Sequence, residues 1–184
     1  MDEATDEELM SRVQHRDRDA FAVLVSRHLD GIHAFNYRMT RNEEDAADLA
    51  QETFLRVWNS AATWRPHRPA GGKIRFTTWL HRIARNLCID AHRRHRETHE
   101  VDANLAAEDG DAPETARAAL RLRQALDQAI TDLPERQRTA LVLCHRDGMT
   151  NRDAAAVLAV SVDALESLLA RARRTLRLKL REYR

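Results

Sequence analysis

The stretch Phe76 to Glu97, FTTWLHRIARNLCIDAHRRHRE, carries two sets of side chains that could do chemistry. At 100° per residue, Arg82, Arg85, Asn86, Ile89, Arg93 and Arg96 fall on one side of a helix. That side is almost all of one sign and lacks the Glu-to-Lys pairs at i,i+4 that a merely solvated helix uses. Aligned guanidinium groups neutralise phosphates. With the preceding loop TWRPHRPAGGKIRF, which holds Trp64, Arg65, Lys73 and Arg75, they point to a nucleic-acid surface. The second set is a flank of His81, Cys88, His92, His95 and His99, provided the helix runs that far. Cys88/His92 and His95/His99 stand four residues apart, a spacing compatible with joint metal ligation. Partly exposed histidines beside DNA are the commoner explanation, so no metal and no cofactor are assigned. No nucleophile elbow, phosphate-binding glycine loop or pair of catalytic carboxylates occurs, and no enzymatic activity is expected.

Helices must position these groups. The chain has 184 residues with only five glycines and four prolines, against abundant Ala, Leu, Arg and Glu, which favours an all-α fold. Thr5 with Glu8 forms a capping box for a first helix, Asp19 opens a second, and Asn42 with Asp45 opens a third. In the basic helix Phe76, Trp79, Leu80, Ile83, Ala84, Leu87 and Ala91 form the stripe that meets a core. From 98 to 115 the periodicity fades into acidic sequence with Asp-Gly and Ala-Pro steps, the profile of a flexible linker. Two small helical domains are therefore expected, 1–97 and 116–184, joined by the acidic linker 98–115.

The second helical block runs from about Glu114, and within it a helix begins at Pro134 and ends near Gly148. Thr150 with Asp153 then caps the short helix NRDAAAVL, AVSV makes a tight turn, and Ser161 caps a long basic helix. A short helix, a turn of about four residues and a longer basic helix make the helix-turn-helix pattern. Leu165, Leu168, Leu169, Ala172, Leu176 and Leu180 form the buried side of the last helix. Its leading end would offer Ser161, Asp163, Glu166, Ser167 and Arg171 to base edges, with Arg174 behind them.

The net charge of +1 hides strong segregation. Residues 1–52 hold six Arg against thirteen acids (−7), and residues 65–97 hold nine bases against two acids (+7). The segment 98–115 holds six acids and no base (−6), and 164–184 holds seven bases against two acids (+5). At least two kinds of partner surface are implied: nucleic acid for the basic blocks, something else for the acidic one. Two widely separated cysteines fit a reducing compartment, and with no apolar run near 18 residues and no leader the chain is expected in the cytoplasm without membrane insertion.

Four stretches in this order, DAADLAQETFLRVW (45–58), FTTWLHRIARNLCIDAHRR (76–94), LPERQRTALVL (133–143) and VSVDALESLLARARRTLR (160–177), resemble the extracytoplasmic-function (ECF) group of bacterial sigma factors over almost the whole chain. The resemblance implies that the first domain binds the promoter −10 element and the clamp helices of core RNA polymerase, and the second the −35 element and the polymerase flap. Asp45, Asp48, Gln51, Glu52 and Phe54 would dock on the clamp. Arg82, Arg85, Arg93 and Arg96 would lie on the promoter backbone near the melting point. The loop from Trp64 to Arg75 would hold an unstacked base, with Trp79 in the core rather than on a base. A separate anti-sigma protein is the implied inhibitor. The chain departs from the family pattern early in its last helix, where Glu166, Leu168 and Ala170 replace larger or basic residues. Glu166 could accept a hydrogen bond from a cytosine amino group there. The competing reading is a stand-alone helix-turn-helix regulator, which would have no need of the acidic helix or the second basic one.

Overall fold

A computed structural model describes residues 4–66, 74–98 and 114–181. Among these the chain is all-α: α1 Asp6–Gln14, α2 Arg18–Thr40, α3 Glu43–Ser60, α4 Phe76–Thr98, α5 Glu114–Thr131, α6 Glu135–Leu141, α7 Asn151–Leu158 and α8 Val162–Lys179. The expected linker falls mostly outside the described residues.

Local signals start the helices. Thr5 and Glu8 exchange reciprocal bonds, with Thr5 N–H donating to the Glu8 carboxylate at 2.8 Å and Glu8 N–H to Thr5 Oγ1 at 3.3 Å. Asn42 caps α3 through the Asp45 N–H. The second helix is opened by Asp17 rather than Asp19, because Asp17 Oδ1 accepts from the N–H groups of both Asp19 and Ala20. A start at α4 invisible in local sequence is the Glu7 carboxylate of α1, which accepts the Phe76 N–H at 2.9 Å. It satisfies an orphan donor and places a negative charge at the positive end of the helix.

Helices α1 to α4 enclose Met10, Val13, Leu24, Ile32, Phe35 and Val57, with Phe76, Leu80, Ala84 and Leu87 of α4 closing the bundle. In the second block the expected single helix from Pro134 to Gly148 divides. Pro134 is its N-cap, and α6 widens after Leu141 into a π turn, Val142–Arg146. The turn ends with Asp147 N–H donating to Val142 O at 3.0 Å, and Gly148 follows at φ +65°. This widening aims the Asp147 side chain back at the first block.

The two blocks are packed together, and most of their buried apolar residues form one continuous core, with Leu133, Leu141 and Ala172 in a second, smaller cluster. Around the apolar contacts lie polar bridges: Arg38 Nη1 donates to Asp147 Oδ1 at 3.0 Å, Arg85 Nη2 to Glu135 Oε1 at 3.2 Å, and Thr78 Oγ1 to Asp153 Oδ1 at 3.4 Å. Thr139 Oγ1 reaches Met39 Sδ at 3.8 Å. His81 donates from Nδ1 to Thr77 O at 2.8 Å, because a carbonyl can only accept, and so turns a bare Nε2 toward Asp147 Oδ2 at 3.7 Å. That buried carboxylate oxygen has no hydrogen-bond partner.

Burial pushes Asp147 up to about 6, the Arg38 charge only partly opposing it, and burial pushes His81 down to about 4. The linkage signs are opposite. The Asp147 contribution to stability is full below its unfolded pKa near 4 and is lost as pH rises through about 6. The His81 contribution is full above about 6.5 and is lost as pH falls through about 4. The two therefore offset each other across this window. Asp147→Asn leaves His81 unopposed, so between pH 6.5 and 4.5 the variant loses stability relative to wild type at up to about 1.4 kcal/mol per pH unit. His81→Phe gains relative to wild type over the same range. Urea midpoints at three pH values check both slopes, and parallel curves for all three proteins would refute the offset.

Candidate nucleic-acid interface

Helices α7 and α8 form the helix-turn-helix. α7 ends at Ala159 in the left-handed region, φ 54°, whose N–H returns to the Ala155 and Ala156 carbonyls. Ser161 Oγ then accepts the Ala164 N–H at 3.1 Å and starts α8 in a new direction. Leu165, Leu169 and Ala172 are buried against α6 and α7, with Leu168, Leu176 and Leu180 half-buried. This stripe turns Ser161, Asp163, Glu166, Ser167, Arg171 and Arg174 to solvent together on the outer face. Glu166 is held by Asn151 of α7, whose Nδ2 donates to Glu166 Oε1 at 3.3 Å.

On α4 the basic side divides. Arg82, Asn86 and Arg93 are exposed and Ile89 half-buried. Arg85 is turned toward the second block by its bond to Glu135 and keeps little exposure. The side chain of Arg96 and the whole of Lys73 lie outside the described residues.

Trp64 requires a correction: it is 3% exposed, with its ring 5.1 Å from that of Trp79 and 6.3 Å from that of Phe76. Its carbonyl accepts from Gln14 Nε2 at 2.9 Å. An indole packed on both ring and backbone sides fills the core instead of standing open to a base. Trp79 packs with it, as expected from the apolar stripe, leaving Arg65 and Arg75 as the exposed described members of the loop.

On α3, Asp48 and Gln51 are exposed and Asp45 and Glu52 partly so, Glu52 paired with Arg56 at 2.9 Å. Phe54 is the second correction. It is 5% exposed and lies edge-on to Phe21, so it supports α3 from below instead of docking a partner. The outward apolar residue is Leu55, 50% exposed, which sequence reasoning missed. It follows Asp48 and Gln51 at i+7 and i+4, and that spacing alone could have placed it on their ridge. Ala47 likewise faces solvent, while Leu49, Ala50 and Val57 are buried. Part of the acidic excess of residues 1–52 is used internally, since Asp6 accepts from Arg27 and pairs with His28 at 2.7 Å while Glu7 caps α4.

The His/Cys flank is separated by burial. Cys88 is buried, its thiol donating to Asn36 Oδ1 at 3.4 Å and pushed up to about 12 by burial, while His92 is exposed. A thiolate ligand is disfavoured at such a position. Among the described residues no three His, Cys, Asp or Glu side chains converge on a possible metal position. His99 and the side chain of His95 lie outside the described part.

Comparison with known proteins shows which family the chain belongs to. The family profile Sigma-70 region 2 matches residues 24–98, and Sigma-70, region 4, matches residues 123–176. The ECF RNA polymerase sigma factor SigW of Bacillus subtilis is 33% identical over 94% of this chain and 95% of its own. The chain belongs to the ECF sigma factors. The RNA polymerase sigma-H factor of Pseudomonas aeruginosa is 31% identical, covering 91% of this chain and 90% of the relative. Among solved structures, CnrH in complex with the cytosolic domain of CnrY superposes with a TM-score of 0.72 at 28% identity, over 96% of this chain and 97% of that one. As a sigma factor the protein directs promoter-specific transcription initiation, and the stand-alone regulator is not favoured. No helix among the described residues of this sigma factor is long and apolar enough to cross a membrane.

The burial pattern separates structural from surface residues. Trp64→Ala should cost about 3–5 kcal/mol in chemical denaturation, the scale for emptying an aromatic core site. Arg82→Ala and Arg93→Ala should change stability by less than about 0.5 kcal/mol. Each should lower the log–log salt slope of DNA binding by roughly 0.7–0.9 if it neutralises one phosphate. Unchanged slopes would remove these arginines from the interface.

Proposed function

We propose that this sigma factor divides its work between 1–97, which engages the −10 region and the clamp helices of core polymerase, and 116–184, which engages the −35 element, with 98–115 as tether. The observation that carries this reading is the outward ridge of α3, on which Asp48 and Gln51 stand free of the core beside Leu55. Carboxylates flanking an exposed leucine suit a basic partner surface with an apolar centre, the composition of a protein–protein interface. Asp45 and Glu52 border that ridge. Phe54 serves it only as support from the core.

The basic surface of α4 is assigned to the promoter backbone. Arg82 and Arg93, with Arg96, contribute phosphate attraction without reading bases, and Asn86 can hydrogen-bond beside them. Arg85 joins them once its bond to Glu135 is released. Arg65, Lys73 and Arg75 guide the displaced strand, whose unpaired base is captured by the loop they flank. Melting then needs no catalytic group of the chain's own. Unpairing costs a few kcal/mol per base by analogy with base flipping, and capture of the extruded base together with polymerase contacts offsets it. On α8, Ser161, Asp163, Ser167 and Arg171 face the −35 groove, Arg174 the adjacent phosphates, and Glu166 accepts from a cytosine amino group.

The two promoter elements lie some tens of base pairs apart, and at about 3.4 Å per pair blocks in mutual contact cannot span both. The seam of Arg38–Asp147 and Arg85–Glu135 must therefore part before both elements are bound. The protein acts in the cytoplasm, where promoter and polymerase are, and an anti-sigma protein is its expected restraint.

Purified chain should bind bacterial core RNA polymerase and start transcripts from a randomised promoter library at a selected subset of sequences. Asp48→Arg/Glu52→Arg should weaken polymerase binding at least tenfold, the effect of placing like charges across an interface, while leaving isolated DNA binding intact. Polymerase binding unaffected by the charge reversal would refute the α3 assignment. Loss of all library selectivity in the wild type would refute the promoter assignment.

A further inference from the structure

Glu166 is the least expected residue on the reading face, because a carboxylate aimed at DNA is repelled by phosphates. Its surroundings are built to hold it. Asn151, the first residue of α7, donates from Nδ2 to Glu166 Oε1 at 3.3 Å, and its Oδ1 lies 3.8 Å from the Cys144 thiol. The polarity of this chain is determined by chemistry. An ionised carboxylate only accepts, so the amide must present its NH2 group to Glu166 and its oxygen to the S–H. Burial pushes the Cys144 thiol up, which keeps it a donor. Three elements, the π turn after α6, the start of α7 and the second turn of α8, thus contribute one group each to a row that ends on Glu166.

The consequence is directional. A free glutamate on a helix surface samples many rotamers and would swing away from phosphate. One held through Oε1 keeps lone pairs for a second donor in a defined place. In the major groove, exocyclic amino groups belong to cytosine N4 and adenine N6; a carboxylate suits cytosine, whereas adenine also presents the N7 acceptor beside its donor. We propose that Asn151 is a positioning residue for −35 sequence selection, holding Glu166 so that it selects cytosine at one position of the element. This rests on the reading of α8 as the −35 helix.

The test uses full-length chain in holoenzyme with core polymerase, a fixed −10 element and a randomised −35 element, reading base preference position by position. Asn151→Ala should reduce discrimination at a single position roughly fivefold, about the worth of one hydrogen bond, leaving the other positions and the salt dependence unchanged. Asn151→Asp keeps size and helix-start compatibility but replaces the donor with a like charge. A merely structural asparagine would tolerate it, whereas positioning predicts at least the same loss with an unaltered melting temperature. Glu166→Gln should shift preference at that same position, and adding Asn151→Ala to it should change little further. If both Asn151 variants keep full discrimination while Glu166→Gln alters it, the inference is overturned and the −35 reading stands. If Glu166→Gln also leaves every −35 preference unchanged, Glu166 does not read the element, and the inference falls with that part of the reading.

Discussion

The architecture depends on α4 being packed on two sides and open on a third. Phe76, Leu80, Ala84 and Leu87 enter the core of the first block. About a third of a turn round, Thr78, His81, Arg85 and Cys88 meet the second block or the polar ring beside it. The remaining arc, with Arg82, Asn86 and Arg93, reaches solvent, as do His92 and Arg94 toward the end of the helix. A helix committed in this way cannot rotate. The same apolar burial that stabilises the bundle therefore fixes where the guanidinium groups point, which a nucleic-acid surface on an isolated amphipathic helix would lack.

That geometry also explains a flank for which the family resemblance offered no account. His81 and Cys88 share one side of α4 that faces the seam between the blocks, while His92, further along the same side, is exposed. His81 is held neutral by burial and Cys88 is a small, weakly donating filler beside Asn36. Of the i,i+4 pairs that suggest metal ligands, Cys88/His92 is divided by burial, and His95/His99 falls outside the described side chains. Spacing in sequence specifies a face, not what covers it.

Legibility followed the range of the interaction. Helix starts at Thr5, Asn42, Thr150 and Ser161 rest on partners within three residues and were readable from them, as was the helix-turn-helix, whose turn and stripe are local. The shift from Asp19 to Asp17 reflects two acids competing for one cap, which the sequence alone does not rank. Trp64 and Phe54 lie deeper than surface contacts would for a different reason. Each stands at the border of a polar stretch, and its burial comes from partners far along the chain, Phe76 and Trp79 for one, Phe21 for the other. The π turn after Leu141 is hidden because the apolar run Ala140–Cys144 that leads into it fits a regular helix equally well. The packing of the blocks against each other was obscured by the acidic segment between them, since a linker's composition sets its own behaviour and not that of the surfaces it joins.

The charge segregation then takes on a more specific meaning. Asp6 and Glu7 are absorbed by Arg27, His28 and the start of α4, so net charge over residues 1–52 overstates the acidity offered to a partner. What remains outward on α3 is narrower, a ridge in which carboxylate, amide and leucine alternate. On the basic side Arg85 is similarly subtracted by Glu135, and Arg38 by Asp147. Each of these cations is balanced by an acid of the other block, so parting the blocks would expose basic groups on the first and acids on the second. Were the seam to open, Arg85 would add to the positive field of α4, and Arg38 to that of α2, where a polyanion could stabilise them. On the proposed opening, polyanion binding and separation of the blocks would be coupled through charges that already belong to the fold.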